Sequence, residues 1–416
     1  MKLHLAVGLL PVVVFVGAAQ ASIPKPVLTW KQEIEKPVRV RLASALNTVR
    51  LQGFGLRVQG GSASSNPIAM NRMGSLEIER VKTEMGWFWR IKKSEGKIER
   101  FELKKAEALV IEGEDLRKGT QDLPGRLVLT SKMKGFDLIG VLPIENYLVG
   151  VLSSEMPLAW PLEALKSQAV AARSYTLALM RERRQLHYDV ESTILDQVFN
   201  HVSRKLDNDK MIAKARRAVE ETSGVVLLNQ KSQVAKAYYH ADCGGRTTAA
   251  KNVWGTGEKG PVIVDSSCPG HPRSKWTLSL TVDEIRAKLS KKFDIPGDIE
   301  SLFALAPSAQ DRAERLKIRL VDGRERTVNA DEFRAALGYS DLRSTFFKVE
   351  RQGDHFEFKG QGWGHGVGLC QWGSRRMAET GSGASDILRH YYPLSPIAGE
   401  IRNSPRVASR RTAGQE

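Results

Sequence analysis

Long apolar runs are nearly absent from this chain. Beyond residue 21 nothing approaches the roughly 18 consecutive apolar residues of a membrane-spanning helix, so the mature protein is expected to be soluble. Cysteine is scarce, with Cys243, Cys268 and Cys370 the only three. Three cysteines cannot build a disulfide-dense scaffold. An odd number also leaves one thiol unpaired outside the cytoplasm, unless a metal or a partner takes it. Aromatic residues make up 7% of the chain, and none are gathered into an RNP-like strand. No zinc-finger recognition helix is present either, which argues against nucleic acid as a partner. No repeat of fixed period runs through the sequence. Acidic residues are outnumbered, 47 Asp and Glu against 63 Lys and Arg, giving a net charge of +16.

That basic excess, with local runs at 181–184 and 402–411, suits contact with an anionic polymer or surface. Cell wall fits, and so does peripheral contact with anionic membrane lipids. The 416 residues are enough for two domains, and 41% hydrophobic with 26% charged content is ordinary for a globular protein. Residues 1–21 read as a signal peptide: Lys2, an apolar run over 5–16, then the small-x-small site Ala19-Gln20-Ala21. No cysteine follows that site, which argues against a lipid anchor. The expected location is the periplasm, the cell wall or the extracellular space.

Four regions follow from the patterning. After the signal peptide, residues 22–135 form a strand-rich region in which apolar and polar positions alternate with period two from Val38 onward. Residues 136–400 mix helical and strand patterns and read as one mixed domain. Residues 401–416 are a Ser-, Arg- and Gly-rich basic tail. The expected fold class is therefore α+β, a strand-rich N-terminal part joined to a mixed α/β domain. Within it, residues 142–182 read as an apolar run to Gly150, a short polar turn over 153–157, and a helix. Leu162, Leu165, Ala169, Ala172 and Leu179 give that helix one buried face, and Pro161 suits its first turn.

Three constellations carry candidate chemistry. Glu155 sits in the polar turn, either as a helix-entry cap or as a catalytic acid. Glycan cleavage needs a proton donor to the leaving oxygen, and one Glu can serve as acid and then base. Such a Glu needs a raised pKa from apolar neighbours, here Met156, Leu158 and Trp160, whereas a helix N-terminus beside it would favour the ionised form. The second constellation is 360–373, with glycines alternating around His365. It is not followed by Lys-Ser/Thr or a βαβ unit, so it is no phosphate loop. His365 and Gln371 could line a sugar groove, with Trp363 or Trp372 stacked on a ring face; a tight turn explains it equally well. The third is His240-x-x-Cys243 and Cys268-x-x-His271, which suits a tetrahedral zinc site. A Cys243–Cys268 disulfide is the rival, and it leaves the histidines unexplained.

The chain also resembles a known family. Ser154-Glu155-Met156-Pro157, Trp160-Pro161, Gln168 to Tyr175, Asp196-Gln197-Val198, the 360–373 stretch and His390-Tyr391-Tyr392-Pro393 look like the signature of the SpoIID/LytB family of peptidoglycan-acting proteins. The resemblance covers about 136–395. It implies a lytic transglycosylase cleaving the MurNAc-GlcNAc backbone, including strands stripped of stem peptides, to 1,6-anhydro-MurNAc ends. Glu155 would be the catalytic residue. Ser154, Arg173, His365, Gln371 and Trp363 would bind substrate. One structural Zn2+ would sit on His240, Cys243, Cys268 and His271, with no cofactor for catalysis and Cys370 a buried small side chain. The partners would be glycan strands and an amidase or other wall-remodelling protein. The alternative is a non-catalytic wall-binding protein that stimulates an amidase; a zinc hydrolase would need an open metal position.

Overall fold

The computed structural model describes residues 30–60, 68–84, 86–94, 96–102, 108–206, 208–257, 260–266, 268, 274–308 and 311–402. The stretch expected to be a signal peptide, His271 and all but the start of the basic tail lie outside the described residues. The fold is α+β.

The N-terminal strands join one large sheet. Its order is Val190–Glu191, Val38–Leu46, Phe136–Leu142, Arg126–Ser131, Ala108–Lys118, Thr48–Gly60, Gly74–Thr83, Gly86–Lys93, Ile98–Glu102. Neighbours are antiparallel, except that Val38–Leu46 runs parallel to Val190–Glu191. Period two in the sequence becomes period two in burial: Val49, Leu51, Leu56 and Val58 point inward, and their chain neighbours face water. Strands five places apart would lie about 24 Å apart in a flat sheet. Yet the rings of Trp89 and Phe136, on two such strands, meet at 5.1 Å. The sheet is thus rolled around its own core. The expected join at 135/136 falls inside it, because Phe136–Leu142 is one of its strands.

The chain leaves the sheet through Pro143 into the helix Ile144–Glu155. This corrects the reading of 142–157. The apolar run and the polar residues 153–155 are one continuous helix, so the turn begins only at Met156. After Pro161 comes the helix Leu162–Glu182, buried on every side over residues 164–179. The apolar stripe alone implied one buried face. In fact the helices Ile144–Glu155, Lys210–Glu220, Gln371–Glu379 and Ala384–Tyr391 surround it. Most of its inward polar groups are paired: Lys166 with Glu163 and Glu221, Arg173 with Glu145, Ser174 with the Val170 carbonyl; the buried Gln168 amide has no partner.

A third unit with its own core interrupts the chain between the 240s and the glycine-rich stretch. Lys275–Thr281, His355–Gln361 and Phe347–Gln352 form one small antiparallel sheet, and Ile299–Leu305, Arg315–Leu320 and Glu325–Asn329 another. The helices Val282–Leu289 and Ala330–Leu337 pack between them around Leu289, Leu316, Phe333 and Phe358. Thr281 and Glu284 close a capping box at the first of these helices. The chain then returns to the helical unit, where Leu369–Cys370 pairs in parallel with Tyr239–His240.

Candidate active site

Glu155 is the last residue of its helix. That position reverses one electrostatic expectation. The helix end beside Glu155 is a C-terminus, whose exposed carbonyls disfavour a carboxylate. The next helix starts only at Leu162. Burial pushes the Glu155 carboxyl up to about 7, against the opposing pull of a hydrogen bond that Val198 N–H donates to its Oε1 at 2.7 Å.

The segment carrying Val198 is fixed on both sides. Asp196 pairs with Arg183 and accepts from Glu191 N–H at 2.7 Å. Gln197 Oε1 accepts from Tyr147 Oη at 2.9 Å and from Thr176 Oγ1 at 2.8 Å. Tyr239 lies close enough to feel the Glu155 charge, as does Tyr147. Burial first, then those carboxylates, push both phenols well above their usual range, so both stay neutral hydrogen-bond donors. Met156 and Trp160 are buried beside them. Trp160 and Trp372 meet edge to face at 4.9 Å, with Arg375 over both rings.

The residues expected to bind substrate separate into two groups. Ser154 donates to the Gly150 carbonyl at 2.8 Å and accepts from Asn200 N and Nδ2 at 3.2 Å, so it positions the 198–200 segment. Arg173 is a correction. Its side chain is fully buried, held by Glu145 at 2.6 Å and by the Val225 carbonyl at 3.2 Å, and it offers nothing to a ligand. His365, Trp363 and Gln371 come from the stretch that returns alongside Tyr239–His240. His365 rings with Tyr238, Trp254 and His240 at 6.0, 5.2 and 5.6 Å. Burial lowers its pKa first, then the charges of His240, Arg334 and Arg312; Glu155 is not among them. Trp363 presents a 41% exposed ring under Arg343. Gln371 is buried, its Nε2 without a partner. The glycines serve close packing: a Cβ at Gly368 would meet the Tyr238 carbonyl at 2.0 Å. Tyr147, Tyr239 and Gln197 escaped sequence reasoning as site residues. Asp196-Gln197-Val198 was the one visible signal, and nothing in it said what it touches.

The cysteine site also needs correction. Cys243, Cys268, Cys370 and Asp242, all buried, bring their ligand atoms within 4.8 Å of one another. His240 is not one of that group: its Nδ1 lies 3.1 Å from the Val367 carbonyl while its buried Nε2 has no partner, and His271 lies outside the described residues. Cys370 is no inert filler: its sulfur lies 3.5 Å from Cys268. Tetrahedral zinc with bonds of about 2.3 Å would separate its sulfurs by about 3.8 Å, close to this spacing. All three thiols are free, so there is no Cys243–Cys268 disulfide. Backbone N–H groups of Gly245, Cys243 and Gly373 point at the sulfurs of Cys243, Cys370 and Cys370. Hydrogen bonds from Cys243 and Cys370 hold the Cys268 thiol low, while the neighbouring sulfurs push the Cys243 thiol up and burial pushes the Cys370 thiol up, so this nest favours one thiolate and the other two sulfurs stay protonated beside it. Asp265 supports it, accepting from Tyr391 Oη at 2.6 Å and from Cys243 at 3.4 Å. The donor set fits a metal.

Comparison with known proteins adds to this geometry. The SpoIID family model (Stage II sporulation protein) matches residues 132–228, the stretch that contains Glu155 and its 196–198 partner. Stage II sporulation protein D of Bacillus subtilis is 29% identical over 62% of this chain and 75% of its own length. The chain belongs to the SpoIID family. A second model, Domain of unknown function (DUF8618), matches 264–368, the third unit with the first part of the glycine-rich return. An uncharacterized protein of Brachyspira hyodysenteriae is 31% identical over 61% of this chain and 66% of its own length. The amidase enhancer of Bacillus subtilis is 28% identical over 59% of this chain, but the match spans only 39% of that protein. The SpoIID-family frame thus covers both Glu155 and the polar segment that tunes it.

Proposed function

We propose that this SpoIID-family protein acts on the cell wall as an exported lytic transglycosylase of peptidoglycan glycan strands. The observation that carries the reading is Glu155: a buried carboxyl raised to about 7, inside the stretch that the SpoIID family model matches. A hydrolase of the usual kind needs two carboxylates; a transglycosylase needs one. Protonated Glu155 gives its proton to the glycosidic oxygen as the C1–O bond breaks. The C6 hydroxyl of the same MurNAc then bonds to C1, and its proton returns to Glu155. No water is consumed, and the products are a 1,6-anhydro-MurNAc end and a free hydroxyl. The Val198 N–H steadies the carboxylate between the two transfers, while Tyr147, donating to Gln197, holds the segment that carries it. The basic surface suits an anionic wall. Mass spectrometry of glycan strands, with and without stem peptides, tests this. Anhydro ends should appear and fall by about 10³-fold in Glu155→Gln; reducing ends instead would sink it.

Cys243, Cys268, Cys370 and Asp242 would hold one Zn2+ and join the 240s to the glycine-rich return. Four protein donors leave no open position, which makes the ion structural and disfavours a zinc hydrolase. Likeness to the amidase enhancer favours a second reading, a wall-binding protein that stimulates an amidase. Glycan pull-down that survives Glu155→Gln, with no cleavage product from the wild type, would select it.

A further inference from the structure

A cavity of about 490 Å³ opens where the rolled sheet meets the helical unit. Glu114, Asp115, Asp122 and Arg126 line it from the sheet; Asn146, His201, Ser203 and Arg216 line it from the other side. Ser203 is 7% exposed, and its hydroxyl has no partner; neither has His201 Nδ1. Burial lowers the His201 pKa, while Asp122 and Arg216 act on it with opposite sign. The ring is therefore neutral between two charges. Asp115 holds a left-handed φ of 49°, a conformation that non-glycine residues avoid. The Ile144–Glu155 helix begins at this cavity, since Leu142, Pro143 and Asn146 line it, and Pro143 supplies no side-chain cap. Its first N–H groups, together with Arg126 and Arg216, favour a carboxylate. The three acidic groups on the sheet side favour an ammonium, with Glu114 foremost, since Asp115 already pairs with Lys205 and Asp122 with Arg117.

The ligand class follows from what is missing as well. Among the described residues no Phe, Tyr or Trp lines the cavity, so it lacks the stacking face a sugar usually meets. Three carboxylates argue against phosphate. We infer that this cavity binds a short peptide carrying both a free α-ammonium and carboxylates, the chemistry of a wall stem peptide once its bond to the glycan is cut. The identification as a wall peptide rests on the proposed cell-wall role. The site also adjoins the active one. Val198, which donates to Glu155, is three residues from His201, at most about 11 Å of extended chain. Val149 of the lining is about 9 Å along the helix axis from Glu155.

Calorimetry with the full mature protein tests the inference without turnover, using L-alanyl-γ-D-glutamate as probe. We expect one site per chain, binding at least tenfold weaker for the N-acetylated dipeptide, and at least tenfold loss in Ser203→Leu, which fills the cavity. Glu155→Gln should bind the dipeptide as the wild type does. If Ser203→Leu does not fold, Asp122→Asn decides, with the same tenfold loss expected. Absence of binding to folded wild type overturns the inference. So does equal binding of the acetylated dipeptide, displacement by a peptide-free tetrasaccharide, or loss of binding in Glu155→Gln. Lytic activity is measured separately, so either idea can fail alone.

Discussion

At the scale of the residue, Glu155 combines three influences that act on one proton. Burial and the helix C-terminus favour the neutral acid, and the Val198 N–H moderates them. As a general acid it must be protonated, so kcat/KM is expected to be flat below about pH 7 and to fall tenfold per unit above it. The same shift sets stability. With its pKa raised from 4.5 to about 7, Glu155 contributes fully below about 4.5 and loses that contribution as pH rises through 7. Glu155→Gln should therefore be dead yet more stable than wild type by about 2 kcal/mol at pH 8, and close to it at pH 5. Urea unfolding at the two values checks this. Unequal activity loss without that pH split would mean the carboxyl is not buried in solution. The cysteines make a second residue-scale prediction. The purified protein should carry about one zinc by elemental analysis, and Cys268→Ser or chelation should lower Tm by at least about 5 °C. An unchanged Tm after metal is removed would leave the nest as a plain thiol cluster.

At the scale of the element, the Ile144–Glu155 helix depends on Gly150. Glycine in a helix interior costs about 1 kcal/mol against alanine, so propensity alone predicts that Gly150→Ala stabilises. The structure reverses the sign. A Cβ there would meet the Asn200 carbonyl at 2.4 Å and the Phe199 ring at 2.5 Å. Neither the carbonyl nor the packed ring can give way without moving the 198–200 segment, and with it the N–H that binds Glu155. Gly150→Ala should cost about 2 kcal/mol and lower lytic activity at least tenfold. A melt and a rate measurement on one preparation suffice. A stabilised, active variant would show that the segment is free to shift.

At the scale of the whole molecule, an ion cluster fastens the sheet to the segment that leads to the active site. Asp137, fully buried, contacts Lys132 at 2.7 Å, His187 and Ser44 at 2.8 Å, and Arg41 at 3.4 Å. Burial opposes its charge, but Lys132, His187 and Ser44 outweigh it and hold the carboxyl at about 2. Its contribution is therefore present above about 3.8, the ordinary value, and lost as pH falls through 2. Asp137→Asn should cost about 3 kcal/mol at pH 7 and remove part of the acid-unfolding transition between pH 4 and 2. An acid transition identical to wild type would place the fastening elsewhere, for instance in Arg39–Asp189, whose guanidinium and carboxylate lie 2.6 Å apart.

Much was legible in the order of residues, because some signals are local. Period-two alternation from Val38 dictated strands, Thr281 with Glu284 a helix start, and Glu155 with its neighbours a candidate acid. Other features depend on side chains brought together from far along the chain. Cys370 joins Cys243 and Cys268 across more than a hundred residues, and no spacing rule favours it over His240 or His271. Arg173 reads as a groove residue until Glu145 is seen to hold it inside the bundle. That 360–373 returns to pair beside Tyr239–His240, with Trp372 on Trp160, depended on contacts more than a hundred residues apart. The sequence by itself determined where strands and helices form and which carboxylate stands among apolar neighbours, since both follow from contacts within a few residues. Only the tertiary structure decided that carboxylate's pKa and the makeup of the metal nest, since burial and coordination are set by segments that meet only after folding.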